Sequence, residues 1–246
     1  MWASIQNIEQ PATLLEANKL NDNQNSVLFS GGTYLVAQKS KDIHTLIDIN
    51  HLITSKIEEQ GENISIGAGV TLQQLSDHFE KDVIGRSAHQ SCYSKNIRNQ
   101  RTIGGEIAQK NTTSNINVLL HTMNVKLKVF VDDQETEVEI SSWDGKGIIR
   151  EIIFAKDRNA DIKNYSVITS APPFVVVGYN YNTKTCVVGG RTKGFASFAV
   201  EEGKIQEVVE EKLAEFFVDD HHGSSKYKRH LVKVALRDLG GEGQIS

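Results

Sequence analysis

The spacing of hydrophobic and polar positions changes period several times along the chain, and each change marks an element. The segment Pro11-Ala12-Thr13-Leu14-Leu15-Glu16-Ala17 opens a helix, with Leu14, Leu15 and Ala17 on one face. Val27-Leu28-Phe29 reads as a short buried strand that runs directly into Ser30-Gly31-Gly32-Thr33, after which Tyr34-Leu35-Val36-Ala37 resumes helical spacing. A second strand from Thr45 to Ile49 completes a βαβ-like unit of the size a parallel connection needs.

Asn63 to Val70 alternates as a strand does, and Thr71 is placed to cap a helix from Leu72 to Phe79, with Gln74 at capping-box spacing. Val125 to Val131 alternates again, Asp132-Asp133 is a turn, and Glu135 to Ile140 returns as the second half of a hairpin. Ile148 to Phe154 is a further strand. A third block from about Tyr165 carries strands at Phe174–Tyr181 and Thr185–Gly189, then two helices. The last helix is announced by Gly223-Ser224-Ser225, keeps Leu231, Val234, Ala235 and Leu239 at helical spacing, and stops at Gly240-Gly241. Lys228, Arg229 and Lys233 lie among these apolar positions and are expected to form a solvated face. No internal repeat and no low-complexity linker interrupts the pattern.

Composition narrows the function classes. Hydrophobic residues make up 39% of the 246 residues and charged ones 24%, which is globular and not disordered composition. Twenty-seven Lys and Arg against 31 Asp and Glu leave a net charge of −4, so no general field attracts a polyanion and nucleic acid is not an expected partner. The longest apolar runs, such as Phe174 to Val177, fall far short of the roughly 20 residues that span a bilayer. Met1-Trp2-Ala3-Ser4-Ile5-Gln6 has neither the basic nor the apolar region of a secretory signal, which makes a cytoplasmic location the expectation. Two cysteines, Cys92 and Cys186, cannot supply the four thiolates of an iron–sulfur cluster, so any cluster used with this protein must sit on another chain.

The candidate chemistry lies in two glycine-bearing segments. In Ser30-Gly31-Gly32-Thr33 a strand feeds the glycines and a helix leaves them; without Cβ atoms, consecutive N–H groups can turn into one concavity and approach a phosphate closely. The segment is neither the G-x-G-x-x-G fingerprint nor a loop ending in Gly-Lys-Ser/Thr, and taken alone it is also a plain strand-to-helix turn. The second segment, Thr102-Ile103-Gly104-Gly105-Glu106-Ile107, repeats the glycine pair after the polar run Asn96 to Arg101 and reads as a second loop, in which Arg98 and Arg101 are either solvated or functional.

Ile97-Arg98-Asn99 followed by Thr102-Ile103-Gly104-Gly105, some seventy residues after Ser30-Gly31-Gly32-Thr33, resembles the FAD-binding (medium) subunit of molybdenum hydroxylases, the family of the xanthine dehydrogenase and carbon monoxide dehydrogenase flavoproteins. The resemblance is greatest to the small bacterial branch described as selenate reductase FAD-binding subunits, which also has Gly-Gly-Glu-Ile where most relatives have Gly-Gly-Asn. Ile66-Gly67-Ala68-Gly69-Val70-Thr71-Leu72 and Tyr227-Lys228-Arg229-His230-Leu231 resemble family blocks too, so the similarity spans nearly the whole chain. It implies an α+β chain: a two-lobed FAD-binding fold of the molybdenum hydroxylase flavoprotein (PCMH-like) type, with lobes at 1–55 and 56–160, followed by a smaller α/β C-terminal domain at 161–246.

It also implies an oxidoreductase subunit in which Ser30, Gly31, Gly32, Thr33, Tyr34 and Leu35, with Arg101, Thr102, Ile103, Gly104, Gly105 and Glu106, wrap the pyrophosphate and ribityl region of FAD. Such subunits pass electrons between flavin and the clusters of an iron–sulfur subunit, beside a molybdenum or other large catalytic subunit, often with NAD(P)H as the second substrate. Neither glycine segment contains His or Cys, so FAD is expected to be noncovalent. Where many relatives carry a Pro-Ala-Ser/Ala-Asp segment this chain has Asn111-Thr112-Thr113-Ser114-Asn115, leaving Asn115 to donate to ribose or phosphate. The family's long loop is shortened to Trp143 through Ile149, which makes Ile148 or Ile149 the apolar neighbour of the flavin ring. A lysine and an arginine of the family have no counterparts in Tyr165 to Pro173. These departures keep open the alternative of a flavin-fold scaffold or assembly subunit that has lost FAD.

Other features carry less. His221-His222 has no Cys or Glu cluster at zinc-ligand spacing, so no metal is expected. Cys92 near His89 reads as a small residue before the second glycine segment and not as a nucleophile. Glu106, beside an expected pyrophosphate, requires neutralisation by Arg98 or Arg101 unless it caps a backbone N–H.

Overall fold

The computed structural model describes residues 2–157, 159–201 and 203–240; Met1 and the expected helix stop at Gly241 lie outside them. In chain order the first elements are β1 (Asn7–Glu9), α1 (Leu14–Asn21), β2 (Ser26–Phe29), α2 (Thr33–Gln38), β3 (Thr45–Asp48), β4 (Ile57–Gln60), β5 (Asn63–Gly67) and α3 (Leu72–His78). Helices α4 (Val83–Ser91), α5 (Lys95–Arg98), α6 (Ile103–Ala108) and α7 (Asn115–Met123) follow. Strands β6 (Lys126–Val131), β7 (Gln134–Glu139), β8 (Ile148–Ala155), β9 (Ala160–Tyr165), β10 (Val175–Asn180), β11 (Thr185–Gly190) and β12 (Ala196–Ala199) precede α8 (Ile205–Lys212) and α9 (Ser225–Gly240).

The elements fall into two compact units that interleave along the chain. One takes the described residues up to Gln74 together with Ser94–Gln109 and Val125–Lys156; the other takes Leu75–Tyr93, Lys110–Asn124 and the described residues from Asp157 onward.

The first unit contains two sheets. Strands β1, β3 and β2 form a small parallel sheet with β3 in the centre; the β2–β3 pairing is the one the βαβ spacing predicts, and β1 adds a strand the pattern did not place. A five-stranded antiparallel sheet has the order β4-β5-β8-β6-β7. Ile66, Leu127, Val129, Ile148 and Ile152 are buried on it, in step with the period-two pattern. The β6–β7 hairpin turns at Asp132 and Asp133, both at positive φ (48° and 62°), as a two-residue primed turn requires. The capping box at the start of α3 forms as predicted: Thr71 N–H donates to Gln74 Oε1 (2.8 Å) and Gln74 N–H to Thr71 Oγ1 (3.2 Å). Helix α1 forms behind its Thr13 cap, but of the expected face Leu14-Leu15-Ala17 just Ala17 is buried and Leu15 is exposed. A short helix beside a three-stranded sheet covers little more than one residue's width.

The second unit is built on the antiparallel sheet β12-β11-β10-β9. Val175, Val177, Cys186 and Val188 of the sheet share a core with Val209 and Leu213 near α8 and Val232, Ala235 and Leu236 of α9. Strand β12 stands between β11 and the two helices, where the sequence reading placed no strand.

The solvated face expected on α9 is not there. Lys228 is fully buried, its Nζ 2.8 Å from Asp220 Oδ1 and 2.7 Å from the Val218 carbonyl; Lys233 is 6% exposed and pairs with Glu210. Arg229 Nε also reaches Glu210, at 2.8 Å. Helix α9 packs on both β10 and α8, so it has two covered sides, and charges on the second side must find internal partners. Helix α7 carries a half-buried ionisable group: the His121 ring stacks on Phe195, with centroids 4.0 Å apart and planes at 29°. Burial first, and the Lys110 charge second, lower its pKa to about 4.

Two outcomes follow from these groups. Lys228→Ala is expected to lower the free energy of unfolding in urea by about 2–4 kcal/mol, and Lys228→Met to recover at least half of that by refilling the volume. An imidazole whose folded pKa lies below its unfolded one takes its proton first in the unfolded chain. The contribution of His121 is therefore complete above about pH 6.5 and is lost as pH falls toward about 4, by about 3 kcal/mol at most. Urea unfolding at pH 7 and pH 4.5 should show a smaller loss in His121→Phe than in the unmodified protein.

Candidate functional site

The first glycine segment follows β2, an edge strand of the parallel sheet. The ladder ends where the Ile49 N–H donates to the Phe29 carbonyl (3.0 Å), and Ser30 is then held from the neighbouring strand end: its Oγ donates to Asn50 Oδ1 (3.0 Å) and Asn50 Nδ2 to its carbonyl (3.4 Å). Asn50 is itself fixed by Asp48 Oδ1, which accepts both its N–H (3.0 Å) and its Nδ2 (2.8 Å). Burial works to raise the Asp48 carboxyl, but hydrogen bonds from Asn50 and Gln10 outweigh it and hold the group below its ordinary value. Neither Asp48 nor Asn50 was a sequence candidate; Asp-x-Asn at a strand end was the available signal for such a turn.

Gly32 takes φ 66° as the cap of α2, and no side chain caps that helix. As a result the N–H groups of Gly31, Gly32, Thr33, Tyr34 and Leu35 meet no protein acceptor among the described residues. A run of open donors on a strand-to-helix turn is a concave anion receptor.

The second glycine segment is a helix start and not a loop. Thr102 caps α6, and Gly104 and Gly105 lie in its first turn. All the early N–H groups there are spent on protein acceptors: Ile103 on the Val70 carbonyl (2.8 Å), Gly104 on the Ala68 carbonyl (2.9 Å), Gly105 on Thr102 Oγ1 (3.3 Å) and Glu106 on the Thr102 carbonyl (2.9 Å). The segment therefore docks α6 against Ala68–Val70. Gly104 is required there, since a Cβ would fall 2.7 Å from the Ala68 Cβ. Gly105 differs: a Cβ would meet just the Thr102 Oγ1 side-chain atom, a tight contact at 3.0 Å, and no backbone.

Charges beside this helix are internal. Arg98 is 5% exposed and its Nε donates to Gln73 Oε1 at 3.0 Å. Arg101 grips Glu106 through two nitrogens, Nε on Oε2 and Nη2 on Oε1 (3.0 Å), with Glu106 2% exposed. Of the two arginines proposed to neutralise Glu106, Arg101 does so.

The two glycine segments line one cleft, which encloses about 790 Å³ including the open space at its mouth. Ser30 through Leu35, Arg101, Thr102, Gly104, Gly105, Glu106, Ile148 and Ile149 all lie in its wall. Ile103 does not line it and is buried under the first turn of α6. Asn115 belongs to the second unit, where it begins α7 and donates Nδ2 to Gln90 Oε1 (3.0 Å), behind the Ser114 cap. Sequence reasoning missed Leu28 and Ile49, which it placed in strands, and also Ile53, Ala68, Ala108, Gln109 and Gly147.

The open donors and the apolar walls of the cleft suit an anionic ligand that also has apolar portions. The chain superposes on a chain of quinoline 2-oxidoreductase from Pseudomonas putida 86 with a TM-score of 0.77 at 14% identity, covering 97% of this chain and 96% of that one. A chain of the carbon monoxide dehydrogenase of Hydrogenophaga pseudoflava gives a TM-score of 0.78 at 14% identity, covering 96% and 98%. In sequence it is 28% identical over 233 residues to the uncharacterised protein YgfM of Escherichia coli strain K12, covering 89% of this chain and 88% of that protein. The model of the FAD binding domain in molybdopterin dehydrogenase matches residues 2–146, which include both glycine segments, and the chain belongs to that family.

Proposed function

We propose that this FAD-binding subunit of a molybdenum hydroxylase-type oxidoreductase holds FAD noncovalently in the cleft of its first unit and relays electrons to iron–sulfur centres on a partner chain. The observation that carries the reading is the run of open N–H groups from Gly31 to Leu35 in a cleft with apolar walls. These donors would bind the diphosphate; Leu28, Ile49, Ile53, Ile148 and Ile149 would exclude water around the apolar portions of the ligand. FAD, when bound, supplies the hydride and single-electron chemistry. The chain's own contribution is to bind, orient and desolvate.

No His or Cys lines the cleft among the described residues, which supports a noncovalent attachment. Relay to a partner is supported by the cysteine count, because Cys92 and Cys186 cannot ligate a cluster. Cys186 is fully buried, and burial pushes its thiol far above the ordinary range. The carbon monoxide dehydrogenase relative is a form that lacks the Mo-pyranopterin moiety of its molybdenum cofactor, and an enzyme that uses such a cofactor supports a large catalytic subunit as the further partner. NAD(P)H as the second substrate is part of the same proposal.

The purified protein, or the protein titrated with FAD, should absorb between about 350 and 500 nm, and denaturation should release FAD at one per chain by mass analysis, as a noncovalent flavin cofactor requires. A colourless protein that takes up no FAD would leave the scaffold reading in its place. Gly105→Ala adds one methyl in the cleft wall, 3.0 Å from Thr102 Oγ1 and without a backbone clash. It should weaken FAD binding about tenfold or more, while the melting temperature of the FAD-free protein changes by less than about 2 °C.

A further inference from the structure

Glu106 is a buried carboxylate in the wall of a cleft that receives an anion, and the cofactor reading gives it no task. Among the residues lining the cleft, Arg101 and Glu106 are the side chains that carry formal charge at neutral pH, and both carboxylate oxygens of Glu106 are engaged by Arg101. The wall is therefore formally neutral. The acidic partner is 1% exposed at its side chain and sits in the first turn of α6, while the guanidinium, 22% exposed, is the member with access to solvent.

A lone arginine at this place would make the cleft a general trap for phosphates and carboxylates, since a charge-assisted bond is about twice as strong as a neutral one and asks little of the rest of the ligand. A lone glutamate would repel the diphosphate. With the two locked together, an anion is held by backbone N–H donors, which act at short range and demand that the rest of the ligand fit the apolar walls.

We propose that the Arg101–Glu106 pair is a specificity determinant: Glu106 cancels the Arg101 charge so that the cleft selects the whole flavin dinucleotide over smaller phosphates, and Arg101 is there to neutralise Glu106 and not to bind the diphosphate. This rests on the FAD reading above.

The test is titration of FAD-free protein with FAD by flavin fluorescence, at 50 and 500 mM NaCl, with inorganic pyrophosphate as competitor. In the unmodified protein FAD affinity should change less than about threefold between the two salts and millimolar pyrophosphate should not compete, since no net charge is available to be screened. Glu106→Gln should bind FAD at least as tightly, lose about tenfold or more of its affinity at high salt, and become sensitive to pyrophosphate. Arg101→Met should lose about a hundredfold in FAD affinity, because it leaves an uncompensated carboxylate in the wall.

The double variant Arg101→Met/Glu106→Gln should return to within about fivefold of the unmodified protein, and it is neutral, so it remains informative if Arg101→Met fails to fold. A double variant as weak as Arg101→Met, or a Glu106→Gln protein with unchanged salt and pyrophosphate responses, overturns the proposal while FAD still binds the unmodified protein. Failure of the unmodified protein to bind FAD overturns the cofactor reading and this inference with it.

Discussion

The cleft depends on one steric constraint, the absence of a side chain at Gly31. A Cβ at this position would overlap the Gln100 carbonyl oxygen, so the backbone of the first glycine segment rests directly on the polypeptide that leads into the second. That contact sets the two segments side by side although they are some seventy residues apart in sequence. Gly32 then turns the chain through φ 66°, and the donors from Gly31 to Leu35 remain open because no side chain caps the helix that follows. Gly104, pressed against Ala68, fixes the opposite wall. Backbone positions with no room for a methyl group thus locate the site more firmly than any hydrogen bond from a functional side chain.

The sequence displays much of this because its signals are local. The parallel unit around β2 and β3, the hairpin at Asp132-Asp133 and the capping box at Thr71 each depend on residues within a few positions of one another, and each formed where the pattern placed it. What the pattern concealed was the unequal chemistry of the two glycine pairs. Thr102-Ile103-Gly104-Gly105 has the composition of a donor loop, yet its N–H groups are consumed by Val70, Ala68 and Thr102 itself. Hydrogen bonds to a distant strand end leave no periodicity to read. The same holds for Leu28, Ile49 and Ile53, whose apolar character fits a core and a cofactor wall equally well.

Charge was the least legible property. Lys228 and Lys233 have the spacing of a polar helix face, but a helix covered on two sides has to satisfy such groups internally, with Asp220 and Glu210 contributed by preceding segments. Removing one partner from an arrangement of this kind is more costly than the pair is worth, because the remaining charge is left poorly solvated. The Arg101–Glu106 pair follows the same rule in the first unit, with the difference that it borders a cleft and not a packed core.

That difference bears on how a chain of net charge −4 can accept a dianionic group at all. Long-range attraction is unavailable to it, and a single exposed arginine would supply affinity without discrimination. Short-range donors fixed by glycine geometry avoid both difficulties: their partial charges fade within a few ångströms, so they do little for an anion that is not already seated by its apolar ends. In the proposed arrangement the diphosphate would be recognised last, after shape has been satisfied, and the neutral pair at Arg101 and Glu106 would keep that order from being reversed.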